Sequence, residues 1–60
     1  MAVYVHVYKG DEFAFTVQFK PHSSFDIGER YDTDDYSFRI THDHGVDKDG
    51  DHIYSAKKLP

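Results

Sequence analysis

Residues 41–54 hold the densest set of side chains that could bind a metal ion or move a proton. The segment reads THDHGVDKDGDHIY and contains three histidines, four aspartates and two glycines. Imidazole and carboxylate groups are ligands for zinc and other transition metals. The chain has no cysteine, which excludes disulfides, thiolate zinc sites and cysteine nucleophiles.

A calcium loop of the EF-hand type does not fit this segment. Counted from Asp47, the pattern puts Asp49 and Asp51 at its third and fifth positions. It then puts His52 where glycine is needed and Lys58 where a bidentate glutamate is needed. The EF-hand pattern therefore fails at two of its essential positions.

A transition metal needs ligands that converge on one point. In a strand, His42 and His44 share one face, whereas a regular hairpin puts His52 on the other face beside Asp47, as a cross-strand charge pair. A bulge at Gly45 could rotate the first two histidines relative to the hairpin tip. We expect no metal and no cofactor; if a metal binds, His42 and His44 with a carboxylate are the predicted ligands.

We expect no enzymatic activity. Serines and histidines are present, but no phosphate-binding glycine loop or other catalytic motif accompanies them. The neighbouring acids Asp34 and Asp35 would point apart in an extended chain, whereas acid–base catalysis needs converging groups. Sixty residues also leave little room for a pocket of roughly 300 Å³ or more with supporting side chains.

Acidic residues dominate the second half of the chain. The formal net charge is −4, and the segment 26–51 holds nine acids against three bases. The nine candidate partner-binding acids are Asp26, Glu29, Asp32, Asp34, Asp35, Asp43, Asp47, Asp49 and Asp51. A surface made from them would repel a phosphate backbone and attract a basic protein surface.

The sharpest functional hypothesis is a non-enzymatic protein-binding module. It would be a small acidic inhibitor that occupies the basic nucleic-acid-binding surface of a partner, as a DNA mimic does. In size and charge alone it is similar to very small acidic phage proteins that disable host nucleic-acid enzymes, including some anti-CRISPR proteins. Direct binding of nucleic acid is not expected from the overall charge.

A row of three side chains, Tyr4, His6 and Tyr8, suggests an alternative. Tyrosine-rich faces and exposed strand edges favour association, so the chain could be a structural or assembly protein that forms a homodimer. The row could instead be covered by the connection that carries Phe25 and Tyr31. A His/Asp metal-binding module is the third hypothesis.

Two hairpins are predicted to position these groups. Alternation over residues 3–8 and 13–20 predicts two strands, and a three-residue loop would put Val3, Val5, Val7, Phe13, Phe15, Val17 and Phe19 on one face. Asp49-Gly50 favours a two-residue turn. That turn would pair Val46 with Ile53, and Ile40 with Leu59, with Phe38 on the same apolar face.

The predicted fold is all-β: a small antiparallel sheet, a sandwich or a partly open barrel of four or five strands. It is built from the two hairpins, with at most one short helical turn in 22–35. Residues 1–60 are expected to form a single domain. No signal peptide or membrane span is evident, so a cytoplasmic location is expected.

Overall fold

The computed structural model describes all 60 residues, which form one five-stranded sheet without any helix. The strands are β1 (Val3–Lys9), β2 (Glu12–Phe19), β3 (Arg30–Asp32), β4 (Ser37–Val46) and β5 (His52–Lys58). Their order across the sheet is β2-β1-β5-β4-β3. The all-β prediction is confirmed, and both predicted hairpins, β1–β2 and β4–β5, are present.

The two hairpins join through β1 and β5, which run parallel and not antiparallel as the hairpins alone suggested. Val5 lies beside Tyr54 and Val7 beside Ala56 in this pair, and all four side chains are buried. A parallel pair needs a long crossover between its strands. Here the crossover includes β2, β3 and β4 as well as the connection 20–29.

The first hairpin has the predicted valine face but a different turn. Strand pairing joins Val3 with Phe19, Val5 with Val17 and Val7 with Phe15. The loop contains two residues, not three, and its first residue, Gly10, has a φ of 62°, which suits glycine in a tight hairpin turn. Ala14 is then an extra residue in β2, so Phe13 pairs with Tyr8 on the opposite face and is 57% exposed.

The predicted two-residue turn in the second hairpin is wrong. The loop contains three residues, because the N–H of Asp47 donates to the C=O of Asp51 at 2.8 Å. Gly50 ends the loop with a φ of 85°, as in three-residue hairpin loops with a glycine bulge. The Asp47 carboxylate also accepts the N–H groups of Asp49 and Asp51, at 2.9 and 3.0 Å, which stabilises the wider loop.

Because the loop is one residue longer than predicted, the register shifts by one, and each side chain of β5 lies on the face opposite to the predicted one. Tyr54 and Ala56 become core residues, whereas Ile53 pairs with Tyr4 on the opposite face. Val46 is 66% exposed, so it does not join the apolar face predicted for it. Phe38 and Ile40 are buried as predicted, because register shifts between residues 40 and 42 and between 43 and 45 realign β4 against β5.

The connection between β2 and β3 crosses the valine face of the sheet. Phe25 packs in the connection against Phe19 and Tyr54, with ring centroids 4.9 and 5.4 Å apart. Its N–H also donates to the Tyr54 hydroxyl at 3.2 Å. The connection contains turns but no helix, and it covers the core, not the Tyr4–His6–Tyr8 row.

The sheet curls into a partly open barrel. The Phe19 and Tyr31 rings lie 5.1 Å apart and those of Phe15 and Tyr36 lie 4.9 Å apart, so side chains from opposite edges of the sheet meet. The edge strands β2 and β3 form no backbone ladder with each other, so the barrel does not close. The buried core consists of Val3, Val5, Val7, Phe38, Ile40, Tyr54 and Ala56.

Candidate functional site

The side of the sheet opposite the core, here called the outer face, is not covered by the connection. Residues paired across strands project to the same side. The pairing assigns to the outer face Tyr4, His6, Tyr8, Phe13, Thr16, Gln18, Arg30, Asp32, Ser37, Arg39, His42, Ile53, Ser55 and Lys57. His44 joins them, because its Nε2 lies 2.7 Å from the Ser55 Oγ.

Charge is divided unequally between this face and the rest of the surface. The outer face carries the cations Arg30, Arg39 and Lys57 and the single carboxylate Asp32. The other ten of the eleven acids lie in turns, in the connection or on the inner side of strands. A chain with a net charge of −4 therefore has one face with more cations than carboxylates.

The nine predicted acids do not converge on one patch. Asp34 and Asp35 precede β4, whereas Asp47, Asp49 and Asp51 follow it. Seven residue steps of β5 separate these two groups, a distance of roughly 23 Å at the usual rise of a strand.

The remaining acids partly bridge that gap. Glu29 lies beside the middle of β4, since its C=O accepts the N–H of Ile40 at 2.9 Å, and Asp26 adjoins it in the same turn through a 3.0 Å hydrogen bond. Asp43 lies within β4 itself. The backbone positions of the acids therefore follow β3, β4 and the loop after β4 as a line, here called the acidic edge, which comprises all nine. Asp51, at the end of this line, contacts Ala2 beside β1, and the carboxylates of Asp32 and Asp43 project to opposite faces of the sheet.

Five acids of the acidic edge already have a structural partner. Glu29 accepts the N–H of Asp26, Asp47 closes its own loop, and Asp51 accepts the N–H of Ala2 at 2.7 Å. Asp32 and Asp43 bind side chains, as described next. Four acids form no hydrogen bond or ion pair through their side chains, and these are Asp26, Asp34, Asp35 and Asp49.

Two carboxylates have their pKa lowered by hydrogen bonds. The pKa of Asp32 lies below its ordinary value of 3.8, chiefly because the Ser37 hydroxyl donates to it and then because Arg30 does. The pKa of Asp43 is lowered by the His52 Nε2–H, 2.6 Å away, and by the N–H of Gly45. The predicted partner of His52, Asp47, is thus replaced by Asp43.

The histidines are divided between the faces as predicted, and they form no metal centre in this structure. His42 and His44 stack on the outer face with ring centroids 5.9 Å apart, whereas His52 stacks on Tyr54 on the inner face. His6 leans towards β2, where its Nδ1 lies 2.7 Å from the Thr16 hydroxyl. No three histidine or carboxylate side chains are arranged to hold a metal ion.

The hydrogen bond between Ser55 and His44 is the one contact that pairs a serine with a histidine, as a serine nucleophile and its base would be paired. A serine nucleophile also needs a group that orients its base and donors that stabilise an oxyanion. No side chain binds the second nitrogen of His44. Ser55 lies in the central strand β5, which pairs on both sides, so this hydrogen bond joins neighbouring strands without forming a triad.

A shallow groove crosses the outer face. Its volume is about 270 Å³, and Tyr8, Gly10, Thr41, His42, Ser55, Ala56 and Lys57 line it. β5 forms the floor, because it lies between β1, which carries Tyr8, and β4, which carries His42. The Asp49-Gly50 dipeptide did not predict this arrangement, because the two-residue turn that it favours would pair His42 with Lys57 and not with Ser55.

The chain matches no protein-family model, no curated protein and no solved structure. It has no helix long and apolar enough to cross a membrane. The two surfaces of this chain that could carry a function are the acidic edge and the outer face.

Proposed function

We propose that the protein is a cytoplasmic, non-enzymatic protein-binding module whose acidic edge occupies a basic nucleic-acid-binding groove of a partner. In this role it acts as a small acidic inhibitor of the DNA-mimic type. The observation that carries the proposal is the linear placement of the acids along one side of the sheet.

The dimensions of the acidic edge support this role. Its length of roughly 23 Å compares with the span of about seven phosphates on one strand of duplex DNA. Asp34, Asp35, Asp26 and Asp49 have no partner within the chain, so they are available to arginine and lysine side chains. Hydrogen bonds between such ionised groups are stronger than neutral ones.

The test uses a fluorescently labelled arginine-rich peptide as a stand-in for a basic groove. We expect Asp34→Lys/Asp35→Lys to weaken its binding at least about tenfold, since two attractive charges become repulsive. Fluorescence anisotropy measures the affinity, and circular dichroism checks that the fold is retained. Binding should also weaken as ionic strength rises.

The chain offers a matched control for this experiment. Asp11→Lys/Glu12→Lys makes the same change in net charge, but in the turn before β2 and at the first residue of β2, outside the acidic edge. Its effect should be clearly smaller. If both double variants weaken binding equally, only net charge matters and the acidic edge is not a binding surface.

A further inference from the structure

The outer face carries six aromatic or imidazole rings, those of Tyr4, His6, Tyr8, Phe13, His42 and His44. Phe13 contacts the rings of His6 and Tyr8, with centroids 6.0 and 5.8 Å apart, and Tyr4 continues the row along β1. The stacked pair of His42 and His44 lies beyond β5. No chain segment of this protein covers these rings, because the one crossing connection packs on the core side.

The groove between these two sets of rings is suited to one flat, aromatic group. Tyr8 and His42 lie on strands two spacings apart and are offset by two residues, because Tyr8 pairs with Lys57 and His42 with Ser55. Their Cα atoms are therefore roughly 12 Å apart, and a planar ring fits between the two side chains along this diagonal of the groove. Lys57 lies at the floor and offers a donor, whereas the Ser55 hydroxyl beside it is held by the Nε2 of His44 at 2.7 Å. Stacking of bases on aromatic side chains is the usual way in which proteins hold single-stranded nucleic acid.

The local charge favours an anionic occupant. Lys57 lines the groove, and Arg39 pairs with it across β4 and β5. The one carboxylate of the outer face, Asp32, is already bound to Arg30 and Ser37 at the far edge of the sheet. The net charge of −4, which disfavours binding of nucleic acid to the chain as a whole, therefore does not describe this face.

The geometry points to a single-stranded nucleic acid as the occupant of the outer face. One base enters the groove between Tyr8 and His42, and neighbouring bases stack on rings such as Phe13. Lys57 and Arg39 contact the phosphates. A second copy of the chain fits this face less well, because two such faces would bring like charges together. This binding is independent of the proposed role of the acidic edge.

The experiment measures the fluorescence anisotropy of labelled oligo(dT), with oligo(U) and duplex DNA as comparisons, at physiological ionic strength. We expect both single strands to bind and the duplex to bind weakly, since its bases are not free to stack. Tyr8→Ala should weaken binding by about 5- to 150-fold, which corresponds to the loss of one base–aromatic stack.

Matched variants separate stacking and local charge from general effects. Phe13→Ser should weaken binding, whereas Ile27→Ser should not. The two variants are matched because Phe13 and Ile27 are similarly exposed, at 57% and 60%, and only Phe13 lies on the outer face. Lys57→Gln should weaken binding more than Lys48→Gln, which removes the same charge from the β4–β5 loop. These surface variants keep the test valid if Tyr8→Ala does not fold.

Three results would overturn the inference. The first is the absence of any anisotropy change with either single strand, and the second is equal loss from Lys57→Gln and Lys48→Gln. The third is a dimer in light scattering that Phe13→Ser converts to a monomer, which would assign the outer face to a second copy. None of these results bears on the arginine-peptide assay, so the two proposals fail separately.

Discussion

Replacing Asp47 by alanine tests whether this acid is structural and not part of a free binding surface. Its carboxylate accepts two backbone N–H groups, from Asp49 at 2.9 Å and from Asp51 at 3.0 Å. Such bonds contribute about 0.5–1.5 kcal/mol each, and solvent can replace part of this in an exposed loop. We therefore expect Asp47→Ala to lower the free energy of unfolding by about 1–2 kcal/mol.

That loss should be easy to measure in so small a domain. For 60–100 residues, 1 kcal/mol shifts Tm by about 4–8 °C, so the expected decrease is roughly 4–16 °C. Urea denaturation followed by circular dichroism gives the free energy directly. Asp47→Asn should lose less than Asp47→Ala, because the amide oxygen can still accept both N–H groups.

Asp49→Ala is the control, because the Asp49 side chain accepts no hydrogen bond. Its effect on the free energy of unfolding should stay within about 0.5 kcal/mol. If Asp49→Ala destabilises the protein as much as Asp47→Ala does, the carboxylate of Asp47 does not hold the loop. Equal losses from the alanine and asparagine variants would contradict the hydrogen-bond argument in the same way.

Two further predictions concern the inner side of the sheet. Phe25→Ala should lower the free energy of unfolding, measured in urea, by about 2–3 kcal/mol, which is at or below the low end for a buried phenylalanine because this ring is only half-buried. A loss no larger than that of Ile27→Ala would contradict this prediction. Because the pKa of Asp43 is lowered by folding, its ionised form contributes stability above the ordinary pKa of 3.8, and this contribution is lost as pH falls through the lower pKa of the folded state. Asp43→Asn should therefore be less stable than the parent chain at about pH 6 but not at about pH 2; a difference that does not change with pH would exclude ionised Asp43 as its cause.

The alternation of residues was sufficient to predict the first hairpin. Val3, Val5 and Val7 share a face with Phe15 and Val17 in any register that buries them, so burial alone selects the pairing. The turn was not predictable in the same way. A two-residue turn with a bulge in β2 and a three-residue turn without one bury the same valines, and they differ only in the side on which Phe13 lies.

The second hairpin shows why a dipeptide signal can mislead. Asp-Gly favours a two-residue turn, but Asp47 can bind the backbone two and four residues ahead and so stabilises a three-residue loop. The sequence does contain this signal, since aspartate is a preferred first residue of a turn. A prediction that followed the turn preference of Asp47, and not that of Asp49-Gly50, would have placed Tyr54 in the core and Ile53 on the outer face.

The pairing of β1 with β5 could not be predicted from local sequence patterns. Both strands are apolar on one side, and nothing in their own residues determines whether they pair with each other or with another strand. This pairing brings Ser55 beside both His6 and His42 and creates the groove of the outer face. The candidate site is therefore a consequence of topology, which is why composition and spacing could not reveal it.

The net charge of the chain does not predict what each surface binds, because binding depends on the charges near that surface, and the topology determines which charges those are. At physiological salt the Debye length is about 8 Å, so the acids of the β4–β5 loop, Asp47, Asp49 and Asp51, are largely screened from Lys57, which lies near the other end of β5. Lower salt would extend the repulsion from the acidic edge to an oligonucleotide on the outer face. Two phosphate contacts to a single-stranded nucleic acid would alone give a slope of about −1.4 in a plot of log K against log salt concentration. Because salt also screens the repulsion from the acidic edge, the measured slope should be less steep than this value.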